Sequence, residues 1–77
     1  MQPPPNPRRD LADKLRDRIA LSLVLDDTLA AELTRKAEAL EANGDHEGAR
    51  ALIAAARRHR VGAIKQRALL SASGIAV

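Results

Sequence analysis

The side chains able to do chemistry fall into two groups. Arg57-Arg58-His59-Arg60, preceded by Arg50 and extended by Lys65 and Arg67, forms a cationic run, and Asp26-Asp27 is the one adjacent pair of carboxylates. A histidine beside a carboxylate is the beginning of an acid–base pair or a metal site, but either also needs a nucleophile or further ligands, set in a cleft. The chain offers none of these at a matching spacing, and neither a phosphate-cradling glycine loop nor a nucleophile motif occurs. The second histidine stands in His46-Glu47. Helix bundles that hold metal pairs present Glu-x-x-His on facing helices, and that spacing is missing. With no cysteine, disulfides and thiolate metal sites are excluded as well. The expectation is a protein that is not an enzyme, with no catalytic residue, no cofactor and no metal.

The cations suit a different chemistry. From Met1 to Glu47 the chain has seven Lys/Arg against ten Asp/Glu, whereas from Gly48 onward it has six Lys/Arg and no acid. On a helix, Arg50, Arg57, Arg58, Lys65 and Arg67 make a broad positive face able to meet phosphates without reading bases. The competing role is internal balance, with ion pairs to Asp26, Asp27 and Glu32 and arginine stems lying over apolar neighbours. The absence of Phe, Tyr and Trp removes the platforms on which single-stranded nucleic acid stacks.

These residues must be positioned by helices. Ala42-Asn43-Gly44-Asp45-His46 interrupts two long segments whose apolar residues recur every three or four positions. The pattern predicts a disordered Pro-rich lead over 1–6, a helix from about 7 to 42 and a turn over 43–45. A second helix from about 46 to 72 follows, within a hairpin spanning 7–73, and then a frayed tail over 74–77. Asn6-Pro7 is a good helix start, Asn43-Gly44 tolerates a left-handed conformation, and Asp45 can cap the second helix. The expected inner face is Leu11, Leu15, Ile19, Ser22, Leu25/Asp26, Leu29, Leu33, Ala37 and Leu40. Opposite lie Ala49, Leu52/Ile53, Ala56, His59/Arg60, Ala63/Ile64, Arg67 and Leu70.

In a hairpin, residues equidistant from the turn face one another. Leu40 should face Gly48 or Ala49, Leu33 should lie near Ala55 or Ala56, and Asp26-Asp27 should meet His59, Arg60 and Val61. Asp26 falls where a leucine is expected and Arg60 interrupts the stripe opposite, which predicts a buried polar pair fixing register.

A chain of 77 residues buries only about 60% of the surface its unfolded form exposes, and oligomerisation is the supplement left to it. Ile19 to Leu25 is apolar on nearly every side of a helix, so Leu21, Val24, Leu25 and also Leu23 are expected to meet a second chain. No stretch is long enough for a membrane span, and the start leads into charged residues rather than an apolar signal segment, so a cytoplasmic location and no membrane partner are expected.

In plan, such a hairpin resembles the small bacterial RNA-binding hairpins that dimerise into four-helix bundles. Arg18 to Leu25, followed by Asp27-Thr28-Leu29 and a helix and then by Asn43-Gly44 and a helix with Leu52-Ile53, resembles a ribbon-helix-helix DNA-binding protein. That likeness implies a strand over Ile19–Leu25 presenting Arg18, Ala20, Ser22 and Val24 to DNA. The fold expected from the periodicity is all-α, a long antiparallel helical hairpin dimerising into a four-helix bundle. The function expected is a homo-oligomeric interaction or regulatory protein. A nucleic-acid-binding regulator and a small subunit of a hetero-complex with an unknown protein partner are the alternatives.

Overall fold

A computed structural model describes Pro4 and residues 7–72; the lead expected over 1–6, its Asn6 cap and the tail over 74–77 otherwise lie outside the described residues. The fold is an all-α hairpin of α1 (Pro7–Ala42) and α2 (His46–Ala72). Ile19–Leu25 is helical, and no strand occurs among the described residues, so the ribbon-helix-helix resemblance does not hold. The physical reason is continuity. Nothing between Pro7 and Ala42 breaks a helix, and Asp26-Asp27 continues it rather than capping a new one.

The reversal is built from five residues. Asp45 N donates to Leu40 O (2.9 Å) and Gly44 N to Glu41 O (3.0 Å), the paired bonds of a Schellman cap. That cap needs a left-handed residue, supplied by Gly44 at φ +85°. Asp45 then caps α2, its Oδ1 accepting from Gly48 N at 2.9 Å. A Cβ on Gly48 would lie 2.5 Å from the Asp45 carboxylate, so glycine leaves room for the cap.

Every seventh residue on the facing sides is buried: Leu23, Ala30 and Ala37 on α1, and Ala49, Ala56, Ala63 and Leu70 on α2. Between them lie the half-buried Ile19, Asp26, Leu33 and Leu40 and the half-buried Leu52, His59 and Gln66. This alternation of three and four is the heptad seam of an antiparallel helix pair. In its register Leu40 stands level with Ala49, Ala37 with Leu52, and Leu33 with Ala56. Each layer sets a large side chain against a small one, which allows the two backbones a close approach.

The seam corrects the expected inner face. Leu11, Leu15, Leu25 and Leu29 are exposed, while Leu23, expected to meet a second chain, is buried within the hairpin beside Ala63, Leu70 and Ile19. On α2 it is Ala63 and not Ile64 that points inward, and Arg60 and Arg67 are exposed. The hairpin is 21 × 16 Å in cross-section, two helices wide and about one helix deep, so among the described residues no third layer covers its broad faces.

Candidate functional site

Three features of this hairpin are not explained by forming it. The first is a polar stretch in the seam. Asp26 Oδ1 lies 2.7 Å from His59 Nδ1, with side-chain exposures of 19% and 35%. Asp26 reaches across because α2 carries no side chain at Gly62, where a Cβ would sit 2.8 Å from Asp26 Oδ2. One turn away Gln66 Nε2 donates to Ser22 Oγ at 2.6 Å, leaving Gln66 Oε1 buried without a hydrogen-bond partner.

The expected buried pair of Asp26 with Arg60 is therefore corrected. Asp26 is half-buried and its partner is His59, while Arg60 is exposed and donates to Thr34 Oγ1 at 2.9 Å. A single residue step turns a helix by about 100°, which moves Arg60 from the seam to its flank. The Asp26–His59 couple stands alone chemically. No group of three or more His, Cys, Asp or Glu is placed to hold a metal among the described residues. His46, the other histidine, is an exposed turn residue 2.6 Å from Glu41.

The second feature is the positive face of α2. Arg50, Arg57, Arg58 and Lys65 are exposed and form no ion pair with a described residue. They line the two outer edges of the helix, on either side of an outermost ridge of Ala54, Val61 and Ala68. Arg67, expected among them, points toward α1 instead and pairs with Asp27 at 2.8 Å. Together with Arg60–Thr34, this pair bridges one broad face of the hairpin with polar contacts. The remaining ion pairs, Arg16–Asp13 and Arg35–Glu32, are local to α1.

The third feature is the number of large apolar side chains left outside the seam. Among the described residues, five of the seven buried apolar residues are alanines, whereas Leu11, Leu15, Leu21, Val24, Leu25, Leu29, Val61, Ile64 and Leu69 are all at least 44% exposed. Leu21, Val24 and Leu25, singled out in the sequence, are exposed at 61%, 60% and 53%. They do not share one edge, because Val24 and Leu25 lie on opposite sides of Leu21. The larger group is on the second broad face, where Leu15 and Leu29 of α1 and Leu69 of α2 flank the seam and Leu11 and Leu25 continue the surface around α1. An open groove on the N-terminal half of α1 is lined by Leu11, Leu15 and Leu21, with Lys14, Asp17 and Arg18 at its rim. The stripe and the seam run side by side on α1, offset by one residue or about 100°, and leucine size alone does not tell one from the other.

The fold and these features define an antiparallel two-helix hairpin with one polar-bridged face and one leucine-rich face. Compared with known protein families, with curated proteins and with solved structures, the chain matches none. No helix among the described residues is long and apolar enough to cross a membrane.

Proposed function

We propose that this protein is a non-enzymatic interaction module that works as a homo-oligomer, its hairpins pairing through the leucine-rich side of α1 into a four-helix assembly. The observation that carries this reading is the row of leucines left outside the seam: Leu11, Leu15, Leu21, Leu25, Leu29 and Leu69 are all exposed on or beside one broad face. Alanine burial contributes little of the roughly 1.5–3 kcal/mol that a fully buried leucine or isoleucine supplies, and the exposed leucines add little until a partner covers them. An exposed apolar surface of this kind marks an interaction site. The test replaces Leu25 or Leu21 by Asp and measures solution mass and far-UV circular dichroism. A monomeric or unfolded chain is expected from Leu25→Asp, and a Leu25→Asp chain that keeps the wild-type oligomeric mass and helicity overturns the reading.

A second reading rests on the α2 cations that form no ion pair with a described residue. Arg50, Arg57, Arg58 and Lys65 support contact with the phosphates of a nucleic-acid duplex, which needs charge but no stacking side chains. Fluorescence anisotropy with duplex DNA and structured RNA at about 50 and 200 mM salt tests it, since phosphate contacts make affinity fall steeply over that range. Binding that weakens with salt and is lost on replacing Arg57 and Arg58 by Ala supports this reading. Absence of binding at the lower salt refutes it.

A further inference from the structure

We infer that the leucine stripe of α1 is a self-complementary surface, built to receive α1 of a second copy in antiparallel orientation about a two-fold axis near Ala20. This rests on the homo-oligomeric reading above and specifies its surface, orientation and register.

The stripe consists of Leu11, Leu15, Arg18, Ser22, Leu25 and Leu29. Its steps of four, three, four, three and four read the same in both directions, and so does its chemistry: two leucines, two polar residues, two leucines. A two-fold contact uses the same patch on both copies, so residue i meets j and j meets i. An antiparallel copy centred at the level of Ala20 sets Leu11 against the partner's Leu29 and Leu15 against the partner's Leu25, twice over by symmetry. Arg18 then lies level with the partner's Ser22. A parallel copy in register would stack the two Arg18 guanidinium groups on each other.

The charges agree with the antiparallel choice. Arg18 is exposed among leucines and forms no ion pair with a described residue of its own chain. In the pair it comes within one helical turn of the partner's Asp26, whose Oδ1 is taken by His59 and whose Oδ2 faces the space left by Gly62. At the ends, Arg8 falls level with the partner's Glu32, a carboxylate that already pairs with Arg35 of its own helix.

The two leucines outside the stripe fit the same axis. Leu69 of α2 stands level with Ile19 and Ala20 in the hairpin register and on the same broad face, and Leu21 borders the stripe on its outer side. The surface thus collects six of the nine exposed large aliphatic residues among those described. From Arg8 to Glu32 it is about 36 Å long, and across a face 21 Å wide this offers on the order of 750 Å² per copy, close to the roughly 800 Å² per partner of a stable interface. The opposite broad face, bridged by Asp27–Arg67 and Thr34–Arg60, has no comparable stripe.

The test uses the absence of native cysteine. Full-length Leu15→Cys and Leu25→Cys chains are prepared separately, refolded together and treated with a short bis-maleimide, and the mass of each variant is checked before linking. The expected result is a covalent dimer in the mixture and its loss in either variant alone. Linking of either variant to itself indicates another register or a parallel pair and overturns the inference. A wild-type dimer with no link in the mixture also overturns it while leaving the homo-oligomeric reading in place, whereas a wild-type monomer overturns both. Should the leucine replacements dissociate the pair, Arg8→Cys mixed with Glu32→Cys poses the same question without removing a leucine, each position lying about 36 Å from its own copy along the axis.

Discussion

The contact between Gly62 and Asp26 allows a prediction whose sign depends on a residue across the seam. Replacing an interior helical glycine by alanine ordinarily stabilises a helix by about 1 kcal/mol. At position 62 the new methyl carbon would stand 2.8 Å from Asp26 Oδ2, closer than such contacts occur, so the carboxylate must swing away from His59. A hydrogen bond to a charged group contributes about 1.5–3 kcal/mol when well buried, and the half-buried positions of Asp26 and His59 reduce this to about 1–2 kcal/mol. Gly62→Ala alone should therefore leave stability unchanged or lower it by up to about 1 kcal/mol. In an Asp26→Ala background the clash and the bond are both gone, and the same substitution should stabilise by about 1 kcal/mol. The four chains are compared by urea unfolding followed at 222 nm by circular dichroism, a standard helix signal, at one fixed protein concentration because oligomer stability depends on it. The expected coupling is about 1–2 kcal/mol. Equal stabilisation by Gly62→Ala in both backgrounds would refute the claim that this glycine exists to admit the carboxylate.

Two further substitutions probe the seam and the turn. Ala56, fully buried and level with Leu33, has no space for a larger side chain, so Ala56→Leu should destabilise by about 1–3 kcal/mol in the same unfolding assay; a neutral effect would show that the helices are not closely packed there. Gly44→Ala forces an L side chain to φ +85° and should lower stability by about 1–2 kcal/mol, with the helix content of the folded state unchanged; an increase in stability would mean that the Schellman cap is not formed.

The turn and the two helices were legible because each rests on local chemistry. Gly44 supplies the left-handed conformation, Asp45 supplies the cap, and the lack of breakers from Pro7 to Ala42 carries α1 through its apolar middle. That Asp26 comes near His59 followed from their similar distance to the turn, the two lying about one helical turn apart in the register. Which residues fill the seam was not legible in the same way. Ala30, Ala37, Ala56 and Ala63 carry little hydrophobic signal one by one, yet their heptad spacing is what lets the helices meet. The leucines beside them carry the stronger apolar signal and mark a neighbouring stripe instead. Arg60 and Arg67 were misplaced for a related reason: at the edge of a seam, one step along the sequence decides between a buried position and a flank. The missing signal was the seven-residue recurrence of alanine in both helices, which the sequence contains and a search for large apolar residues passes over.

The central claim is that a second copy covers the leucine face, and sedimentation equilibrium of the wild-type chain from micromolar to millimolar concentration addresses it most directly. The expected species has twice the 8.3 kDa chain mass and persists on dilution into the micromolar range. A fully helical species of 8.3 kDa at every concentration would contradict it, showing that the alanine seam suffices alone and that the exposed leucines serve a different partner.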